Sequence, residues 1–167
     1  MARGDTETIV TQTVLDRLID REPKERNEAP PTRAQSVRQL KASLRRDLEW
    51  LLNTRRIAEE VPESFEQLSR SLYNYGLPDF TAMSFSNPRD RNKLLRSLEA
   101  TIRLFEPRLD AVKVIPIEVT GETQSRRLLR FQIEGLLKMD PAPEQVSFDT
   151  VLQLTNGEYE VKGDRGA

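Results

Sequence analysis

Leu104-Phe105-Glu106-Pro107-Arg108-Leu109 is the point where one periodicity gives way to another. Upstream of it, Leu94, Leu95, Leu98, Ile102 and Phe105 recur at helical spacing, so Asn87 to Phe105 reads as a strong helix. Asn87 suits the N-cap and Pro88 the first helical position. Pro107 ends the helix, because its ring clashes with the preceding turn and it lacks an N–H. Downstream, from Asp110, the period becomes two. Val112, Val114, Ile115, Ile117 and Val119 read as a strand apolar on both faces, with Pro116 marking an edge or a bulge.

Two further strands follow. Arg127, Leu129, Phe131, Ile133, Gly135 and Leu137 alternate with the residues between them, which predicts a strand with one buried face. Val146, Phe148, Thr150, Leu152 and Leu154 repeat the alternation. Asn156-Gly157 then predicts a two-residue hairpin. Pairing Thr155 with Glu158 sets Leu154 opposite Tyr159 and Leu152 opposite Val161, so the apolar faces coincide.

Working back toward the N-terminus, Ser36 to Asn53 is the other strong helix. Val37, Leu40, Leu44, Leu48, Leu51 and Leu52 form its stripe, and Ser36 is a candidate N-cap. Trp50 lies beside the stripe, where it either seals the core edge or meets a partner. Between the two helices, Ser64 to Leu72 reads as a helical turn or two. Tyr73-Asn74-Tyr75-Gly76-Leu77-Pro78-Asp79-Phe80 then reads as a turn, with Gly76 available for positive φ. Before the first strong helix, Thr8 to Asp20 carries a short amphipathic pattern of Ile9, Val14, Leu15, Leu18 and Ile19, too short to stand alone. Arg21 to Thr32, with three prolines and many charges, reads as a spacer or as the tether of a docking helix. The expected organisation is an N-terminal docking helix in residues 1–20, a flexible linker in 21–34 and a folded domain in 35–163. The fold class is α+β: two main helices followed by a small antiparallel sheet ending in a β-hairpin.

Composition narrows the chemistry. The 167 residues carry 26 basic and 27 acidic side chains, a net charge of −1, and neither Cys nor His. That balance gives no drive toward nucleic acid. It also removes disulfides, thiolate chemistry, the commonest general base and the commonest metal ligand. The seven glycines form no phosphate cradle, and Glu59-Glu60 follows no metal-loop spacing, so no cofactor or metal is expected. No apolar run approaches the ~20 residues that span a bilayer, which predicts a cytoplasmic protein without direct membrane insertion. Two-carboxylate glycoside hydrolysis alone stays compatible with this composition, though no particular pair is selected. At the corner, Glu106 and Arg108 flank the proline with opposite charges. Either they pair internally or with another helix and brace the corner, or Arg108 is held for bidentate contact with a carboxylate or main-chain carbonyls of another protein.

Several segments together resemble a known family. Val14 to Leu18 (VLDRL), Ser36 to Arg56, Ser71 to Phe80 (SLYNYGLPDF) and Ile102 to Leu109 (IRLFEPRL) are similar, in order, to segments of TssE, the type VI secretion baseplate subunit. That family is itself similar to the lysozyme-like wedge protein of phage tail baseplates. The resemblance implies a structural, non-enzymatic subunit of a contractile injection machine. Its implied partners are other baseplate wedge subunits and the sheath subunits of the first ring, whose polymerisation it helps to start. It implies a place at the inner face of the inner membrane when assembled. Glu106, Pro107 and Arg108 are implied to engage the partner helices of the wedge. The alternative function is a lysozyme-like peptidoglycan glycosidase.

Overall fold

The computed structural model describes residues 10–19, 23–24, 31–59, 61–62, 64–80, 83–84, 87–117 and 128–164. In chain order the elements are α1 (Val14–Leu18), α2 (Arg33–Asn53), α3 (Glu66–Ser69), a 3₁₀ turn (Leu72–Asn74), α4 (Pro88–Phe105), β1 (Leu109–Pro116), β2 (Leu128–Leu137), β3 (Glu144–Gln153) and β4 (Glu158–Asp164). The expected α+β order therefore holds. The strands form one antiparallel sheet in the order β1-β2-β3-β4.

α4 begins as its sequence dictates, with the Asn87 side chain accepting from Arg89 N and Pro88 in the first turn. α2 begins three residues before the expected cap. Thr32 and Gln35 make a reciprocal capping box, which satisfies two orphan N–H groups at once. Ser36 is instead buried in the first turn, donating to Arg33 O and accepting from Val10 N. The leucines of α2 and α4 cover one face of the sheet, which supplies Phe131, Ile133, Leu137, Val146, Phe148 and Leu152 to a single core. α2 lies against β4 and α4 against β1.

Two strand expectations change. β1 is buried on one face only: Val112 and Val114 are covered, while Ile115 on the other side is 40% exposed. It is an edge strand ending at Pro116, as that residue suggests, but the bulge falls between Asp110 and Lys113, where Ala111 takes φ 51. The hairpin closes two residues deeper than expected, pairing Gln153 with Glu158 and Leu152 with Tyr159. Leu154 to Gly157 form a four-residue loop, and Gly157 takes the left-handed position, φ +73, with its N–H on Gln153 O. A shift of two residues leaves every side chain on its original face, so burial alone does not separate the two registers. Ile9, Asp20, Val119 and Arg127 lie outside the described residues.

Both sheet edges are met by side chains of the flanking helices. On β4, the Asn53 amide donates to Tyr159 O (2.8 Å) and accepts from Tyr159 N (2.9 Å), and Arg45 donates to Val161 O (3.1 Å). On β1, Arg103 donates to Val112 O (2.7 Å) and Glu99 accepts from Val114 N (2.9 Å). Asn53 thus substitutes for an antiparallel neighbour, offering one residue both a donor and an acceptor. Glu99 and Arg103 occupy the groups a parallel neighbour would take.

The NYGLPDF segment is tied to the end of α2. Leu77 N–H donates to Thr54 O (2.8 Å) and Arg56 N–H to Leu77 O (2.9 Å). This approach needs glycine at 76. Its φ is +104, and a Cβ there would lie 2.3 Å from Thr54 O. Gly76→Ala is expected to destabilise the chain by about 2–4 kcal/mol in chemical denaturation, combining backbone strain with displacement of the α2 exit. Gly163→Ala, where an added Cβ meets nothing within 4 Å, is the matched control and should change stability little.

Candidate functional site

The corner at residues 104–109 is built by three elements. α4 ends when Glu106 N–H closes on Ile102 O (2.8 Å), and Leu109 N–H returns to Glu106 O (3.1 Å) to start β1. The turn is pinned to β2 by Lys138, whose N–H donates to Arg108 O (2.8 Å) and whose Nζ donates to Pro107 O (3.0 Å). Pro107 remains exposed, and Leu104 on the preceding turn is 43% exposed.

The side chains close a charge chain across this scaffold. Arg108 Nε and Nη2 donate to the two oxygens of Glu106, both at 2.5 Å, in a fork. Nη2 also donates to Asp47 Oδ2 (2.7 Å) from α2. Asp47 Oδ1 accepts from Arg46 Nε (2.9 Å) and Nη2 (2.8 Å), and Arg46 Nη1 donates to Asp16 of α1 (2.9 Å). Asp16, Arg46, Asp47, Arg108 and Glu106 therefore join α1, α2 and the end of α4. Glu106 and Asp16 are each 5% exposed.

Burial alone would lower the pKa of Arg108, but its bonds and charge pairs with Glu106 and Asp47 outweigh that and raise it, so the guanidinium stays charged. Burial also works against the Asp16 carboxylate, yet the Thr13 hydroxyl and the Arg46 guanidinium hold its pKa below the usual aspartate value. Tyr75 connects the NYGLPDF segment to the same corner. Its ring packs edge-on against Phe105 with centroids 5.3 Å apart. Its phenol pKa is raised by burial and by the nearby charges of Asp47 and Glu106. The two segments most distinctive in the sequence thus meet in space.

In this chain alone Glu106 and Arg108 pair with each other, as the bracing reading expects. Asp47, Arg46, Asp16 and Tyr75 are additions the sequence reading did not make. Asp47 had a signal: it lies three residues after Leu44 and four before Leu51, on the apolar stripe itself, where a carboxylate needs a partner. Among the described residues, no group of three or more Asp or Glu side chains is placed to hold a metal ion. A glycosidase needs one carboxyl kept protonated and one ionised beside the scissile bond. Here every carboxylate of the cluster faces a guanidinium, and Asp16 is held below its ordinary range.

Two helices over an antiparallel sheet, joined at a braced Glu-Pro-Arg corner, define a structural α+β module with its charges committed to holding elements together. The family model of the baseplate wedge protein gp25 matches residues 38–142, and the chain belongs to that family, which includes TssE. It is accordingly a structural component of a phage-tail-like baseplate. No curated protein and no solved structure matches the chain. Among the described residues, no helix is long and apolar enough to cross a membrane.

Arg108→Ala would strand the buried Glu106 carboxylate without its fork. A loss of about 2–4 kcal/mol is expected in chemical denaturation, because an unpaired buried charge costs more than the intact pair contributes. Adding Glu106→Gln should restore part of that loss. An Arg108→Ala chain as stable as the original would show that the fork does not brace the corner.

Proposed function

We propose that the chain is a non-catalytic baseplate subunit of a type VI secretion machine. It works in the cytoplasm, at the inner face of the inner membrane when assembled. Glu106, Pro107 and Arg108 dock onto helices of neighbouring wedge subunits, and the chain contacts the first sheath ring. The proposed units are a docking segment in residues 1–20, a linker in 21–34 and the wedge domain in 35–163. The observation that supports the docking role is the rigidity of the corner. Pro107 is exposed while Lys138, Glu106 and Asp47 hold its backbone and its neighbour Arg108 from three sides. A preformed, immobilised corner loses little conformational entropy on docking. Hydrogen bonds to charged groups at such an interface are each worth about 1.5–3 kcal/mol.

Because Arg108→Ala alone is expected to destabilise the domain, the docking test uses the paired variant Glu106→Gln/Arg108→Gln, which removes both charges together. It should melt cooperatively and yet fail to co-purify with the other wedge subunits. Undiminished co-purification by the folded paired variant would reject the corner as the docking site.

The sheath contact is proposed to use strand addition to the sheet. At β4, an incoming strand has first to displace Asn53 from Tyr159 and Arg45 from Val161. Asn53→Ala opens the Tyr159 position and is expected to speed seeded polymerisation of sheath subunits on purified baseplates. An unchanged rate would show that the sheath does not enter along the β4 edge.

A further inference from the structure

α1 is mounted by its polar side. Its one buried side chain is Asp16, which reaches Arg46, while Val14 is 72% and Leu18 77% exposed, with Leu15 and Ile19 also open. Just before α1, the Val10 side chain packs against the core, and the other attachments are polar. Val10 N–H donates to Ser36 Oγ, and the Gln12 and Gln39 amides bond to each other. The α2 positions used are 36, 39 and 46, which lie on one helix face. The same face continues to Trp50, one turn beyond Arg46. Trp50 is 53% exposed and carries the Arg46 guanidinium 4.9 Å from its ring centroid. A helix of five residues has little stability of its own, so turning its apolar side chains outward brings the isolated subunit nothing. Residues 20–30, DREPKERNEAP, contain no large apolar side chain that could cover them. The outward face carries Arg17 and no described carboxylate, because the one acid of α1 is turned inward.

We propose that the exposed face of α1, with Trp50 beside it, docks an apolar, acid-flanked helix of a neighbouring wedge subunit. This deepens the docking reading and rests on it, since Arg46 and Asp47 join α1 directly to the Glu106–Arg108 fork. The partner chemistry follows from the surface: aliphatic and indole area for an apolar stripe, and Arg17 for a carboxylate at its flank. Asp16 is the positioning residue that presents this face, and it does so through Arg46.

The test uses the full chain with the other purified wedge subunits. Val14→Ser/Leu18→Ser leaves the Asp16–Arg46 mount in place. It should bind the wedge about tenfold more weakly, with an unchanged thermal melt. Asp16→Asn should weaken binding as well, and should also speed tryptic cleavage at Arg17, which the serine pair should not. A benzoylphenylalanine photo-crosslinker at position 18 should join a wedge-subunit helix of the stated composition. Unaltered affinity of the serine pair overturns the proposal. So does crosslinking only between copies of this chain, or only to phosphatidylglycerol vesicles included in the mixture. Loss of binding in the serine pair with normal binding by Glu106→Gln/Arg108→Gln would remove the corner from the interface and keep α1 in it. The reverse result would keep the corner and reject α1.

Discussion

The fork between Arg108 and Glu106, with Asp47 as its third member, is the interaction on which the architecture turns. A proline two residues after a helix end sets where the helix stops, but not the direction in which the chain leaves. Here the direction is set by one guanidinium that takes the carboxylate just before the proline and another carboxylate 61 residues upstream in α2. The result places β1 under α4 and beside β2, so the sheet can present its apolar face to both helices. Arg108 is only partly exposed, and its carboxylates are close enough to offset the cost of desolvating it. The neighbouring Tyr75–Phe105 contact seals the apolar side of the same junction.

From that junction the charge chain runs outward through Arg46 to Asp16, which gives the N-terminal segment an address on the domain. The mount depends on α2, whose Arg46 and Asp47 stand side by side and link Asp16 to Arg108. A segment this short follows its anchor rather than folding by itself. The charges in the cluster are thus spent on geometry, which accords with a structural baseplate protein.

The same economy governs the sheet edges. An antiparallel sheet of four strands has two edges open to pairing with any passing chain. α2 and α4 meet them with Asn53, Arg45, Glu99 and Arg103, which satisfy edge N–H and C=O groups while their helices pack the core. Occupied edges limit strand exchange to the places where a partner can displace those side chains.

Much of this was legible in the sequence. The stripes of α2 and α4, the Asn87 cap, the Gly76 turn, the alternation of β2 and β3 and the change of period at Glu106-Pro107-Arg108 are local properties. They depend on side-chain volume, branching and backbone sterics that act within a few residues. Tertiary structure decided the rest. The hairpin register moved by two because both pairings bury the same faces, and only the four-residue loop ending at Gly157 distinguishes them. The bulge settled at Ala111, leaving Pro116 to end an edge strand, and Thr32, in a capping box with Gln35, took the cap from Ser36. The N-terminal pattern gave a helix but not its orientation. An amphipathic stripe says that one side differs from the other, and the half-buried Arg46, 30 residues away, determined that the acid, not the leucines, would face inward. Long-range ion pairs of this kind carry no periodicity, so they appear only when the chain has folded.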